Sequence, residues 1–406
     1  MTSPAIIFPG QGSQYAGMGK KLYNESPGIK RMFDEASEII NFDIRKFCCE
    51  TGLRDLYKTE DVQPSILTMD VAMFQLYMEQ IGLEPVFLAG HSLGEIAALV
   101  CSGAIRFTEA VKLARYRGLL MKETVNDNMI MTAVIGLDKN QLYEKCMEVS
   151  NKDKSVYISL YNSPEQNVVC GDKEAVLELC RKIENKSVKI IPLKINAPFH
   201  SPFMKKVADR FLAELKQYKF KPMKYTVIAN STALPYTDEK SICENLYTHL
   251  LMPVKWNETL KFMMDNGINT VLEVGPNSTL TNMAAEYGED IKFYSYDKDI
   301  NKIKSSFEIN KEPKLNILKQ YLAIIVCTPN NNWDENEYNN GVVKPYKRIE
   351  QIVDTLEKRK EEPTSDQIRE AIAMLKLVFK TKGTPQEEQD LRFRQLSDKA
   401  GFSAGI

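Results

Sequence analysis

A serine stands between two glycines in the stretch Gly90-His-Ser-Leu-Gly94, directly after the apolar run Pro85-Val-Phe-Leu-Ala89. The apolar run predicts a buried strand, and the small-residue segment from Leu93 to Cys101 predicts a helix. On such a turn a serine hydroxyl points away from the sheet, and the helix N-terminus offers N–H groups to a developing oxyanion. The pattern indicates that Ser92 is a nucleophile. The alternative is a turn serine that caps the helix.

A nucleophilic serine needs a base, and the chain has three histidines, His91, His200 and His249. His91 is the sequence neighbour of the serine, so its side chain leaves in another direction and is expected to pack beside the turn. His200 lies in a proline-flanked loop after a predicted strand, where catalytic groups often occur. We therefore favour His200 as the base over His249, which lies in a helical run. No Asp or Glu stands out as a third member of a triad.

The bulk composition excludes several classes of protein. The 406 residues are enough for two or three domains, and 53 basic side chains nearly balance 54 acidic ones. Binding to nucleic acid or to a membrane surface is therefore not expected. The start of the chain has no signal-peptide pattern, and no apolar run is long enough to span a bilayer. Eight scattered cysteines without zinc-site spacing indicate reduced thiols in a cytoplasmic protein.

Alternating strands and helices predict an α/β fold that positions the serine. The strand Ala5–Phe8 runs into the glycine-rich turn Pro9-Gly-Gln-Gly-Ser-Gln14, and helical patterns follow to about residue 82. From residue 128 to 196 the predicted order is βαββαβ, the ferredoxin-like pattern. Its strands are predicted at 130–135, 156–160, 167–170 and 188–193, and its helices at 138–149 and 173–183. The α/β pattern resumes to about residue 300 and includes the strand Thr270–Val274.

These patterns predict three parts. Residues 1–127 and 197–302 form the core, residues 128–196 form an inserted small domain, and residues 303–406 form a helical C-terminal extension. Within the extension, the Asn-rich stretch Pro329–Gly341 is expected to be a loop. Three helices should follow it, the second of them opened by a capping box between Thr364 and Gln367. The third should begin near Thr384.

Several motifs follow one another in a recognisable order over residues 1 to about 300. They are Phe8-Pro-Gly-Gln-Gly-Ser-Gln14, Gly90-His-Ser-Leu-Gly-Glu95, Arg117-Gly118, Asn162-Ser-Pro164, Pro198-Phe-His-Ser201 and Glu273-Val-Gly-Pro276. With these motifs the chain closely resembles malonyl-CoA:acyl carrier protein transacylases and the related acyltransferases of polyketide synthases. The resemblance implies an α/β-hydrolase-like core with a ferredoxin-like insert.

The resemblance also implies a ping-pong acyl transfer. Ser92 would attack the malonyl-CoA thioester while His200 takes its proton, and the phosphopantetheine thiol of an acyl carrier protein would then attack the serine ester. A backbone carbonyl near His249 would orient His200 in place of a triad acid. The backbone N–H groups of Gln11 and Leu93 would form the oxyanion hole. No cofactor is expected, because malonyl-CoA is itself the substrate.

By the same resemblance, Arg117 selects the substrate. A guanidinium can hold the carboxylate of a malonyl group with two parallel hydrogen bonds. Without the resemblance, a surface arginine on a helix would be the preferred interpretation, and Arg115, two residues away, should face elsewhere. An aromatic at Phe199, just before the histidine, goes with malonyl rather than with α-substituted malonyl groups. Leu93 points the same way, and Asn162 and His249 are also assigned to substrate binding.

The chain departs from the family pattern in two places. The family often has Gln where this chain has His249, and it usually ends near residue 300. The last hundred residues are expected to pack on the core or to dock a partner, and the extension slightly favours polyketide over fatty acid synthesis. Polyketide synthase modules would then be further partners. The runner-up activity is hydrolysis of acyl groups on stalled carrier proteins, which Arg117 argues against. A third hypothesis is an inactive scaffold, which the Ser92 and His200 motifs argue against.

Overall fold

The computed structural model describes residues 3–52, 58–288, 291–307, 314–359 and 361–400. The chain divides into two compact units, Met1–Tyr77 with Glu84–Ile303, and Met78–Leu83 with Lys304–Ile406. Within the described residues the strands are β1 Ala5–Phe8, β2 Phe87–Gly90, β3 Met129–Ile135, β4 Val156–Tyr161, β5 Gln166–Asp172, β6 Lys189–Pro192, β7 Thr226–Ile228, β8 Thr270–Glu273 and β9 Lys292–Ser295.

Helices cover most of the remaining described chain. Those that begin in the first unit are α1 Lys20–Tyr23, α2 Pro27–Ile40, α3 Ile44–Glu50, α4 Thr59–Gln80, α5 Gly94–Cys101, α6 Phe107–Lys122, α7 Lys139–Val149, α8 Lys173–Ile183, α9 Lys205–Leu215, α10 Ser241–Leu251, α11 Trp256–Asp265, α12 Thr279–Met283 and α13 Tyr296–Ser306. Short 3₁₀ turns occur at Pro202–Met204 and Ala284–Tyr287. None of the described helices is both long enough and apolar enough to cross a membrane.

A five-stranded parallel sheet in the order β7-β2-β1-β8-β9 forms the centre of the first unit. Its middle strand β1 is fully buried, as expected for the uninterrupted apolar run Ala5–Phe8 in a sheet covered on both faces. Phe8 pairs with Gly90 in the register of β1 and β2. The glycine-rich turn after β1 and the serine turn after β2 therefore leave the same edge of the sheet side by side.

The region predicted to be βαββαβ forms a four-stranded antiparallel sheet in the order β4-β5-β3-β6. All of its strands and helices lie within two residues of the predicted bounds. Helices α7 and α8 bury Leu142, Val149 and Leu179 against Val134 and Val169 of the strands. This sheet belongs to the same compact unit as the parallel sheet.

The C-terminal helices pack around a core of their own. They are α14 Lys314–Cys327, α15 Glu335–Tyr338, α16 Lys344–Arg359, α17 Ser365–Lys382 and α18 Gln386–Ala400. Tyr321, Ile349, Leu375 and Phe379 are among the buried residues of this core. The Nζ of Lys382 donates to the carbonyls of residues 325 and 328, so a buried cation caps the C-terminal end of α14.

The three helices predicted for the extension are confirmed as α16, α17 and α18, and the capping box between Thr364 and Gln367 is present. The prediction that Pro329–Gly341 is entirely a loop was wrong. Asp334 caps α15 by accepting a hydrogen bond from the N–H of Glu337, and a π-helical turn at Asn339–Val343 leads into α16. An Asp that caps a helix satisfies its free N–H groups, so a segment poor in core-forming residues still becomes helical.

Candidate active site

Ser92 lies on a sharp turn between β2 and α5 with a backbone φ of 51°, in the left-handed region that a serine seldom adopts. The flanking glycines are needed because backbone segments approach one another closely here. A Cβ at Gly90 would overlap the carbonyl carbon of Gly94, and a Cβ at Gly94 would overlap the carbonyl oxygen of Phe8. The local geometry thus matches a nucleophile elbow, in which surrounding contacts maintain a strained backbone.

Asn230 holds this turn in place. Its Oδ1 accepts a hydrogen bond from the N–H of Ser92 at 2.8 Å, and its Nδ2 donates to the carbonyl of Gly90 at 2.6 Å. Asn230 is fully buried and follows β7, which pairs with β2 in the sheet. Sequence reasoning did not select Asn230. The available signal was a polar residue directly after the apolar residues Val227–Ala229, but the neighbour of this segment in the sheet could not be known from one sequence.

His200 is the histidine that the fold brings to the serine. Its Nε2 lies 2.8 Å from Oγ of Ser92, and its Nδ1 lies 2.8 Å from the backbone carbonyl of His249. Because a carbonyl only accepts, Nδ1 carries the proton and Nε2 presents its lone pair to the serine hydroxyl. His200 is buried and also adopts a positive φ, 57°. Both members of the pair are therefore held in uncommon backbone conformations.

The carbonyl of His249 is free for this role because of a proline four residues later. In a continuing helix this carbonyl would accept a hydrogen bond from residue 253, but Pro253 has no N–H. Helix α10 accordingly ends at Leu251, with Met252 extended. Carbonyls at a helix C-terminus carry partial negative charge and stabilise a nearby imidazolium. The helix end supplies the orientation that an acid supplies in a triad.

Burial keeps His200 neutral. The pKa of His200 is lowered to about 3, chiefly by burial and also by the charge of Arg117, while the hydrogen bond to the carbonyl of His249 opposes the shift. The imidazole is therefore unprotonated near pH 7, as a general base must be.

Arg117 is almost fully buried, contrary to the surface alternative. Its Nη2 donates to Oγ of Ser92 at 3.1 Å, and its Nη1 donates to Oε1 of Gln63 at 2.9 Å. Its Nε has no hydrogen-bond partner among the described residues, and none of their carboxylates lies within ion-pair distance of it. Burial lowers the pKa of Arg117 to about 10, against the opposing charge of Glu95, so the guanidinium remains cationic at pH 7. A buried cation without an ion pair is suited to a carboxylate ligand.

Close packing of two helices sets the position of Arg117. Helix α6 approaches α4 at Gly118, where a Cβ would come within 2.7 Å of Cα of Glu60. Arg115 pairs with Asp61 on α4, so it faces away from the serine as expected. Gln63, also on α4 and buried, was missed by sequence reasoning. A glutamine inside an apolar helical segment was the signal that could have indicated it.

The two glycine-rich turns meet beside the serine. A Cβ at Gly10 would overlap the carbonyl oxygen of His91 and lie 3.5 Å from the backbone N of Leu93. Among the described residues, no hydrogen bond uses the backbone N–H of Gln11 or Leu93 as its donor. Two unused donors on turns that touch each other next to a nucleophile form a geometry suited to an oxyanion.

The remaining predicted site residues lie around this centre. His91 packs beside the turn as expected, with its Nε2 2.9 Å from Oδ1 of Asn162 and its ring edge-on to Trp256. This contact occupies the carboxamide oxygen of Asn162, whose assignment to substrate binding stays a prediction. Phe199 is buried, and its carbonyl accepts a hydrogen bond from Oγ of Ser159 at 2.6 Å, which fixes the residue before His200.

Comparison with known proteins places this geometry in a family. The acyl transferase domain family matches residues 5–305. A malonyl CoA-acyl carrier protein transacylase from Bacillus subtilis is 35% identical over 396 residues, covering 96% of this chain and 99% of the relative. The chain belongs to the malonyl CoA-acyl carrier protein transacylase family. A second transacylase, from Bacillus subtilis strain 168, is 35% identical over 295 residues and covers 72% of the chain.

Solved transacylase structures are similar to about three quarters of the chain. The enzyme from Acinetobacter baumannii is 33% identical, with a TM-score of 0.71, and covers 76% of this chain and 98% of its own. A malonyl-transacylase in complex with its type II PKS acyl-carrier protein is 32% identical, with a TM-score of 0.70, and covers 75% and 98%. The mixed α/β architecture with a parallel sheet is thus shared with these transacylases. The 96% coverage by the longer Bacillus subtilis relative reaches into the second unit.

Proposed function

We propose that this transacylase moves a malonyl group from malonyl-CoA to the phosphopantetheine thiol of an acyl carrier protein, through an ester on Ser92. One observation carries the proposal. The hydroxyl of Ser92 lies 2.8 Å from an oriented, neutral His200 and 3.1 Å from the buried cation of Arg117. Acyl transfer requires the first contact, and selection of a carboxylate-bearing acyl group requires the second.

In the first half-reaction, Oγ of Ser92 attacks the thioester carbonyl as its proton passes to Nε2 of His200. The tetrahedral oxyanion is stabilised by the backbone N–H groups of Gln11 and Leu93. The carbon–sulfur bond breaks, and the imidazolium returns its proton to the leaving CoA thiolate. The carbonyl of His249 holds the Nδ1–H of His200 throughout, so the ring does not turn away from the serine.

The second half-reaction reverses the roles. The phosphopantetheine thiol of the carrier protein gives its proton to His200 and attacks the ester carbonyl. The bond from the acyl carbon to Oγ of Ser92 breaks, and the serine recovers its proton from the imidazolium. The reaction exchanges one thioester for another, so no cofactor is required.

Arg117 selects the malonyl group in this proposal. Its two terminal nitrogens now donate to the side chains of Ser92 and Gln63 and are available to the carboxylate of the substrate. One hydrogen bond to a charged group contributes about 1.5–3 kcal/mol, so a single such bond already gives about a ten- to hundredfold preference over an acetyl group. Binding of this carboxylate also neutralises the charge that lowers the pKa of His200, so the base becomes stronger when the correct substrate is present.

The finer architecture forms part of the proposal. We assign residues 1–127 and 197–302 to an α/β-hydrolase-like core and residues 128–196 to a ferredoxin-like small domain. Its antiparallel order β4-β5-β3-β6 supports the second assignment. Residues 303–406 are assigned to a helical extension, supported by the boundary at Ile303. A cytoplasmic location is supported by free cysteines, several of them buried.

We retain docking of carrier proteins or polyketide synthase modules as the role of the extension. The extension has a buried apolar core of its own, which supports a role separate from that of the catalytic core. Fatty acid and polyketide synthesis both fit the family. One solved relative is in complex with a type II PKS acyl-carrier protein. The hydrolase alternative is not favoured, since the relatives named above are transacylases and Arg117 lies at the serine.

The acyl-enzyme is the species that tests this proposal. The protein is mixed with malonyl-CoA alone, quenched in acid, digested and analysed by mass spectrometry. We expect one malonyl group on the peptide that contains Ser92, and none in Ser92→Ala. Malonylation of another residue in the wild-type protein, or no modification at all, would contradict the proposed intermediate.

A further inference from the structure

A buried glutamate lies in the same turn as the serine, and the mechanism above does not use it. Glu95, in the first turn of α5, has no exposed surface. Its Oε1 accepts a hydrogen bond from the hydroxyl of Tyr236 at 2.5 Å. Its Oε2 lies 3.2 Å from Nδ1 of His249, in a geometry that forms no hydrogen bond, and it has no partner among the described residues. A buried carboxyl oxygen left in this state requires a reason.

The imidazole of His249 connects this carboxyl to the catalytic histidine. The rings of His249 and His200 are stacked, with centroids 5.0 Å apart and planes 23° apart. His249 is buried, and its Nε2 also lacks a partner among the described residues. The backbone of His249 therefore orients His200, while its side chain separates His200 from Glu95.

Among the described residues, Tyr236, Arg117 and His249 are titratable groups that face Glu95. Burial raises the pKa of Glu95 to about 8, against the Tyr236 hydrogen bond, a backbone hydrogen bond at Asn230 and the charge of Arg117. Burial, followed by the proximity of His200, Arg117 and His91, lowers the pKa of His249 well below its usual range. The pair therefore contains a neutral imidazole and an acid that ionises just above neutral pH.

We propose that Glu95 is a positioning residue for proton transfer: its carboxylate, acting across the ring of His249, is the counter-charge that stabilises the His200 imidazolium formed when Ser92 attacks. The proton moves from Oγ of Ser92 to Nε2 of His200 and then to the leaving thiolate, and Glu95 exchanges none. The inference rests on the proposed function. No Asp or Glu could be assigned from the sequence as the third member of a triad. Glu95 supplies this acidic group, with the side chain of His249 between it and the ring of His200.

A purely structural role is the competing explanation. A carboxylate in the first turn of a helix stabilises that helix, and the bond to Tyr236 joins α5 to the segment after β7. Loss of stability on mutation would fit both explanations. The dependence of the rate on pH separates the two explanations. If Glu95 acts as a counter-charge, the rate rises as Glu95 loses its proton near pH 8, whereas a purely structural role predicts no such rise.

The experiment compares wild type with Glu95→Gln, which keeps the size and the capacity to accept from Tyr236. Initial rates of malonyl transfer to a holo acyl carrier protein give kcat/KM for malonyl-CoA from pH 6 to 9.5. Wild type should show a rate that rises with pH, with an apparent pKa near 8 that belongs to Glu95. Glu95→Gln should lack this rise and be about tenfold slower at pH 9, with KM nearly unchanged. Glu244→Gln, an exposed acid on α10, is the matched control and should keep the rise.

A second variant covers the case in which Glu95→Gln does not fold. Tyr236→Phe removes the hydrogen bond that lowers the pKa of Glu95, so the rise in rate should move to higher pH. A Glu95→Gln enzyme that keeps the wild-type profile, or a Tyr236→Phe enzyme whose rise stays at the wild-type pH, would overturn the inference while leaving the transferase assignment intact. A wild-type protein that transfers no malonyl group would instead remove the proposed function.

Discussion

The carbonyl of His249 accepts a hydrogen bond from Nδ1 of His200 across 2.8 Å, and this one contact determines which nitrogen of the catalytic ring faces the serine. The acceptor is neutral, whereas a triad uses a carboxylate. Its strength comes from the end of helix α10, where the carbonyl has no competing donor.

Replacing Pro253 should weaken the orientation of His200. Pro253→Ala restores an N–H and relieves the restriction on residue 252, so α10 can extend and compete for the carbonyl of His249. We expect kcat for malonyl transfer to fall about two- to tenfold, with little change in KM for malonyl-CoA. Steady-state kinetics measure this, and circular dichroism serves as the control for folding. An unchanged kcat would show that the carbonyl is held by other contacts.

Loss of Arg117 should abolish the preference for malonyl groups. Arg117→Ala removes the buried cation, and the ratio of kcat/KM for malonyl-CoA to that for acetyl-CoA should fall about ten- to hundredfold. Arg115→Ala on the same helix is the control, because Arg115 pairs with Asp61 and should leave the ratio near wild type. Competition assays with both acyl-CoA substrates measure the ratio. Equal ratios in the two variants would exclude Arg117 as the selector.

Asn230 should matter for both stability and rate. Asn230→Ala leaves the N–H of Ser92 and the carbonyl of Gly90 without their partner, which costs about 1–3 kcal/mol of unfolding free energy. The strained turn should relax, and kcat should fall at least tenfold. Urea unfolding and steady-state rates measure the two effects. Thr232→Ala, on the exposed turn nearby, is the control. Full activity in Asn230→Ala would show that the turn holds its conformation without the clamp.

Acid should destabilise the folded protein through its buried histidines. The folded pKa of His200 is about 3, below the unfolded value near 6.5. Between these values the unfolded state binds a proton that the folded state does not, so the free energy of unfolding falls as the pH falls from 6.5 toward 3. One such histidine contributes a slope of up to about 1.4 kcal/mol per pH unit.

His200→Gln tests this assignment, since the variant loses one proton-binding group. Its unfolding free energy should fall less steeply than that of wild type between pH 6.5 and 4, by part of that slope, because His91 and His249 remain. Urea unfolding at several pH values measures the slope. Parallel curves for the two proteins would show that the pKa of His200 is the same in the folded and the unfolded protein.

Much of the fold could be predicted because its signals are local. The apolar run Ala5–Phe8, the glycines around Ser92 and the capping box at Thr364 each act within a few residues of sequence. The short helix α15 was missed because its cap, Asp334, lies in an Asn-rich segment with few apolar residues. Capping by Asp334 satisfies free N–H groups at the start of this helix. The segment lacks the apolar pattern that would have predicted a helix, so it was predicted to be a loop.

The site was predictable only where a motif marked it. Ser92 and His200 lie in recognisable stretches, so their contact at 2.8 Å was anticipated. Asn230 and Gln63 have no motif, because each reaches the site through a pairing of strands or helices that one sequence does not reveal. Glu95 lies within a motif, but its importance depends on burial and on the ring of His249, which are properties of the folded chain.

The most direct test of the account is the transfer itself. The protein is incubated with malonyl-CoA and a holo acyl carrier protein, and the intact masses of both proteins are followed over time. We expect rapid growth of malonyl-carrier protein with wild type, and no growth above the uncatalysed background with Ser92→Ala. Release of free acid from acyl-carrier proteins without any malonyl transfer would contradict it.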